Sequence, residues 1–209
     1  MKWLYKFLLI ISLSSPVYAE SSPATELSGL LTAIQTMQAN FTQDVLDNRN
    51  KPIQRSNGKM AIQRPDKFRW EVTQPIPQLI ISNQSRLWIY DPDLEQVTIR
   101  SLKKAVGEAP TMLLNYSDVA LKKEYVITVL PKKSSSLQWF NLTPKNSDNM
   151  FVAVQLGFVN GMINQMKLHD HLGHMTLIQF KNIKANIALP SNLFTFKVPK
   201  GVDVIDETR

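Results

Sequence analysis

Phe68-Arg69-Trp70-Glu71-Val72-Thr73 alternates apolar and polar side chains without a break. A period of two puts Phe68, Trp70 and Val72 on one face of a strand and their polar neighbours on the other. The same alternation recurs on both sides. Upstream, Met37, Ala39, Phe41 and Val45 oppose Gln38, Asn40, Thr42 and Asp44, and a second strand is expected over 54–63 beyond the polar loop 47–52. Downstream, strands are expected over 79–82, 87–90, 95–101, 125–130, 137–142, 150–158, 162–170 and 175–184, with a last one at 194–198 and an extension at 202–204. Asn160-Gly161 marks a hairpin between two of them.

Two regions read as helical. Ser22-Pro23 is an N-cap followed by proline in the first turn, and Leu27, Leu30, Leu31 and Ile34 follow as one apolar stripe. The stretch 102–121 interrupts the strand pattern with short helical turns, and Ser117-Asp118 opens another. Many short, regularly spaced strands predict one sheet curling toward a barrel or sandwich, with the helices over its concave side. Periodicity alone leaves two interiors open, a filled core or a helix-covered apolar cavity. It also leaves open which pair on 87–90 points inward, Leu87 with Ile89 or Trp88 with Tyr90.

The chain has 209 residues, 44% of them hydrophobic, enough for one domain with a real core. Seven glycines argue against glycine-rich phosphate loops, and the absence of cysteine excludes disulfide scaffolds, thiolate zinc sites and cysteine nucleophiles. Residues 1–19 read as a secretory signal peptide: Lys2 and Lys6, an apolar run from Phe7 to Leu13, then Val17-Tyr18-Ala19 with small side chains before the cut. The run is too short for a span of ~20 residues. The mature domain, 20–209, is expected to be a soluble exported protein.

The formal net charge of +7 invites an acidic partner, but export and the lack of a basic stripe interleaved with aromatics argue against nucleic acid. No Walker loop, GxGxxG, HExxH or nucleophile elbow is present, so neither an enzyme nor a cofactor is expected. His169, His171 and His174 form a weak metal candidate at a hairpin, against the plainer reading of solvated histidines.

Arg64-Pro65-Asp66-Lys67-Phe68-Arg69-Trp70 resembles the R-P-x-x-F-x-W motif of the periplasmic outer-membrane lipoprotein carrier family, LolA. The likeness continues through Phe41-Thr42-Gln43, Thr73-Gln74-Pro75, Leu87-Trp88-Ile89-Tyr90-Asp91-Pro92, the Gly107…Pro110…Met112-Leu113-Leu114 insertion, Leu142-Thr143-Pro144-Lys145 and Phe194-Thr195-Phe196-Lys197. The resemblance implies a mainly β fold with an α lid: a half-open, incomplete antiparallel β-barrel covered by short helices enclosing an apolar cavity. It implies a monomeric chaperone that shelters lipoprotein acyl chains in that cavity. An inner-membrane ABC-type transporter would load it, and an outer-membrane receptor would take the cargo. The alternative is a same-fold periplasmic lipid- or glycolipid-binding protein or lipid-sensing regulator.

By the same likeness Arg64 is the lid tether, bonding main-chain carbonyls near Leu31 and near Leu114-Asn115. Residue type alone would instead pair Arg64 with Asp66 or Glu71 at the surface. Phe41, Phe68, Trp70, Leu79, Ile81 and Met112 are the implied cavity wall, and Leu31, Ile34 and Leu114 the lid underside.

Overall fold

The computed structural model describes residues 22–83, 85–102, 113–114, 117–131 and 136–208. Met112 and Asn115 therefore lie outside the described residues, as does the expected signal segment 1–19. The chain opens with α1 (Pro23–Thr32), β1 (Thr36–Leu46), β2 (Pro52–Gln63), β3 (Lys67–Gln74), β4 (Gln78–Ser82), β5 (Arg86–Asp91) and β6 (Gln96–Ser101). After the insertion come α2 (Asp118–Glu124), β7 (Tyr125–Val129), β8 (Gln138–Pro144), β9 (Phe151–Val159), β10 (Met162–Asp170), β11 (Met175–Ala185) and β12 (Asp203–Asp206).

The twelve strands among the described residues belong to one sheet, ordered β12-β6-β5-β4-β3-β2-β1-β11-β10-β9-β8-β7. Neighbours are antiparallel except for β12, which lies parallel to β6. The sheet does not close, since β12 and β7 end the order without pairing to each other. The long β1 joins the two halves, paired with β2 on one side and β11 on the other.

The caps explain the helix ends. Ser22 accepts the Thr25 amide at 3.2 Å and Ser117 accepts the Ala120 amide at 3.2 Å, each satisfying an otherwise orphaned donor. At the end of α1, Asn186 holds the turn into β1: its side chain accepts the Gln35 amide at 2.8 Å and donates to the Ala33 carbonyl at 3.0 Å. Asn160 and Gly161 both have positive φ (49° and 75°), the geometry of a tight hairpin turn.

The chain departs from expectation at its C-terminal end. Residues 194–198 form no strand: a 3-10 turn, Ser191–Phe194, is followed by irregular backbone, and the last strand is β12. The alternation there serves side-chain anchoring rather than a ladder. Phe194 is buried, Phe196 packs on Tyr90 with ring centroids 5.6 Å apart, and Arg69 donates to the Leu193 carbonyl at 3.4 Å. This segment thus straps the outer face of β3 and β5.

Candidate functional site

The inner face of the sheet and the undersides of α1 and α2 share one continuous apolar cluster. Strand register decides who belongs to it. Met37, Ala39 and Phe41 of β1 face Ile62, Met60 and Gly58 of β2, which in turn face Phe68, Trp70 and Val72 of β3. Phe41 and Trp70 stack at 3.5 Å between centroids and 15° between planes, and Phe68 continues the stack at 6.4 Å and 8°. Two strands away from Trp70, Phe41 reaches it only because β2 presents glycine between them. A Cβ on Gly58 would stand 2.5 Å from the Phe41 ring and 2.0 Å from the Glu71 carbonyl oxygen. Gly58 is a site residue that the sequence reading missed; a lone glycine inside an otherwise regular strand was its signal. Gly58→Ala is expected to lower stability by ~3 kcal/mol or more through overpacking against main chain. A reduced urea midpoint with unchanged slope would show it, and an unchanged midpoint would contradict the close approach.

Pairing also separates the expected wall residues. Phe68 opposes Ser82 and Trp70 opposes Ile80, so Ile80, not Leu79 or Ile81, joins the inner face. Leu79 and Ile81 lie on the outer face, in register with Tyr90 and Trp88, whose next partners are Val97 and Ile99. This corrects their expected place in the wall. Ile81, Val97 and Ile99 are nonetheless buried, because the C-terminal strap crosses that face. Apolar residues on both faces made β4 ambiguous in sequence. The same register points Leu87 and Ile89 inward and Trp88 and Tyr90 outward.

Leu27 and Leu31 of α1, with Ile34 just beyond its end, roof the cluster beside Leu113, Leu114 and Leu121. Arg64, at the β2–β3 turn, fastens this roof. Its Nε donates to the Ile34 carbonyl at 3.0 Å and its Nη2 donates to the Leu114 carbonyl. The helix-side acceptor is thus Ile34, within the expected neighbourhood of Leu31. Glu71, the expected surface partner, instead accepts Arg69 Nε and Nη2 at 3.1 and 2.8 Å. Burial lowers the Arg64 pKa from its ordinary value, yet arginine keeps its charge at neutral pH. At the other end of α1, Gln138 of β8 donates to Glu26 at 2.6 Å. Over a large apolar contact surface the roof is thus also tied to the sheet by polar contacts, among them those of Arg64 and Gln138.

The histidines do not converge. His174 Nδ1 lies 2.9 Å from Asp170 and His171 Nε2 lies 2.8 Å from the Asn149 carbonyl oxygen, while His169 sits in register with Met175 and Ala153. Among the described residues no three acidic, histidine or cysteine side chains gather as a metal site.

Residues 32–197 match the family described as outer membrane lipoprotein carrier protein LolA. The chain is 38% identical over 207 residues to the outer-membrane lipoprotein carrier protein of Legionella pneumophila (strain Corby), covering 99% of this chain and 100% of that protein. It is 40% identical over 195 residues to that of Pseudomonas aeruginosa (strain UCBPP-PA14), covering 93% of each. Among solved structures, a conserved protein of Thermus thermophilus aligns with a TM-score of 0.58 at 11% identity, over 89% of this chain and 100% of the other. A LolA superfamily protein of Nitrosomonas europaea aligns with a TM-score of 0.51 at 13% identity, over 83% and 96%. The two structures speak to the fold, an unclosed sheet under short helices; the sequence relatives, matched over 93% or more of each chain, speak to the lineage. The chain belongs to the LolA family of outer membrane lipoprotein carrier proteins.

Proposed function

We propose that this protein is a periplasmic chaperone that shelters the acyl chains of lipoproteins and shuttles them toward the outer membrane. The observation that carries the reading is the apolar sheet face around Phe41, Phe68 and Trp70, covered by a roof that Arg64 fastens through main-chain carbonyls. Acyl chains resist transfer into water by ~0.8 kcal/mol per CH₂, so a carrier must present apolar surface of comparable extent. It must also hide that surface when empty, and release cargo without fuel of its own. Leu31, Ile34 and Leu114 would move as the lid underside, exchanging contacts with the sheet for contacts with acyl chain. Charge-assisted bonds of ~1.5–3 kcal/mol each suit such a roof, strong enough to close it and weak enough to yield.

In this reading an inner-membrane ABC-type transporter loads the carrier and an outer-membrane lipoprotein receptor empties it. The carrier performs no catalysis. Residues 1–19 direct export and are then removed. Among the described residues no helix is long and apolar enough to cross a membrane.

The test is to purify the mature chain from periplasm without detergent and identify what travels with it. Acylated lipoproteins are expected, and a cargo variant lacking its lipidated cysteine is expected to be absent. Equal recovery of the unacylated cargo, or free lipid alone, would overturn the reading.

A further inference from the structure

The outer face of the sheet carries a basic hollow on the side away from the roof. Between β1 and β11 the pairing slips: Asn40 faces Lys181 and Gln38 faces Lys184, so Asn182 and Ile183 together oppose Ala39. Asn182 takes φ 53°, the left-handed conformation that asparagine tolerates in a bulge. Two adjoining hollows of about 280 and 370 Å³ open there. Both are lined by Asn40, Lys59 and Asn182; Lys181 borders one and Lys184 the other, and no carboxylate lines either.

The acids nearest in register are already engaged. Lys59 faces Glu71 across the β2–β3 ladder, but that carboxylate accepts two bonds from Arg69. Asp44, further along β1, accepts Arg55 Nε and Nη2 at 2.6 and 3.2 Å. Among the described residues Lys59, Lys181 and Lys184 make no ion pair. Lys59, Asn40 and Lys181 form one cross-strand row, with neighbouring strands about 4.8 Å apart, so an amide sits between two ammonium groups. Three ammonium groups whose nearest carboxylate is bonded to Arg69 repel one another unless an anion joins them. Ammonium and amide N–H groups around hollows that no carboxylate lines match the oxygens of a phosphoryl group.

We propose that this hollow binds the phosphate of anionic phospholipid headgroups and docks the outer face of the sheet on a membrane surface. A bilayer suits three exposed lysines on flexible stems: it presents many phosphates in one plane, and the formal charge of 20–209, which is +5 once Lys2 and Lys6 leave with residues 1–19, draws it there. The contact leaves the Phe41–Trp70 face and its roof unobstructed. Headgroup binding stands on the lysine geometry alone; its use, holding a carrier near the bilayer it serves, rests on the carrier reading.

The test is cosedimentation of the mature protein with vesicles of phosphatidylcholine, with and without about one third phosphatidylglycerol. Binding is expected only to the anionic vesicles and is expected to weaken with salt. Replacing Lys59, Lys181 and Lys184 together by Gln removes about 5-fold per lysine, hence roughly 10²-fold in all. A charge-matched control, Lys51→Gln with Lys197→Gln and Lys200→Gln, changes the β1–β2 turn and the strap instead. It is expected to retain most of the binding. Equal loss in both triple variants, or no phosphatidylglycerol dependence, would overturn the proposal. A parallel NMR titration with sodium phosphate separates the sources. Shifts at Asn40 and Asn182 in phosphate, with vesicle binding unaffected by the lysine variants, would assign the hollow to a soluble anion and refute membrane docking. Lipoprotein transfer, measured separately, reports on the carrier reading, so the two can fail independently.

Discussion

Phe68→Glu is expected to abolish the fold or leave it stable only in acid. Phe68 is fully buried on the inner face, stacked beside Trp70 under the roof. Losing an aromatic ring from such a position costs ~3–5 kcal/mol before the carboxylate is considered. An ionised carboxylate in that place adds an uncompensated desolvation cost, and the total approaches the ~5–15 kcal/mol that holds a whole domain. Burial raises the folded-state pKa of the new glutamate above its unfolded value of ~4.3. The folded form then binds the proton more tightly, so stability is greatest at low pH and falls as pH rises through the folded pKa. Denaturation followed between pH 4 and pH 8 checks this; a variant as stable at pH 8 as at pH 4 would place the new carboxylate in water. Phe68→Leu, which keeps the fold, separates function from folding. It is expected to weaken cargo retention without unfolding the chain, and wild-type retention would remove Phe68 from the acyl-binding face.

Arg64→Leu should act on the roof rather than on global stability. The substitution keeps an apolar stem at the β2–β3 turn but removes the donors that reach Ile34 and Leu114. Two charge-assisted bonds at ~1.5–3 kcal/mol each correspond to a shift of roughly 10²–10⁴ in the closed-to-open ratio. The expected signs are greater binding of a fluorescent apolar probe by the empty protein and faster amide exchange over α1. Hand-over should fail for a different reason. A roof that no longer favours closing supplies no free energy to expel cargo, so lipoprotein should load but transfer poorly to an acceptor. Unchanged probe binding together with unchanged transfer would end the tether assignment. Arg64→Lys sharpens the result, because one ammonium on a flexible stem cannot reproduce the fork that spans both carbonyls.

Much of this molecule was legible in its sequence. Met37-to-Val45 and Phe68-to-Thr73 announced strands because a half-buried strand must alternate, whatever its neighbours are. Ser22-Pro23 and Ser117-Asp118 announced helices because capping satisfies donors within a few residues. Leu79, Ile81 and 194–198 were misread for a shared reason. The faces of Leu79 and Ile81 depend on what covers the outside of the sheet, and that cover is the distant segment around Phe194 and Phe196, whose own spacing serves that contact instead of a ladder.

The sequence by itself determined most of the elements and the family signature around Arg64, since these rest on periodicity, caps and short motifs. Only the tertiary structure decided which face each apolar residue takes, how Gly58 lets Phe41 reach Trp70, and that Lys59, Lys181 and Lys184 surround one hollow. The physical reason is register: on a strand a shift of one residue exchanges the two faces, and register comes from partners far away in the chain. Lys59 and Lys181 are remote in sequence, yet Asn40 lies between them on the neighbouring strand.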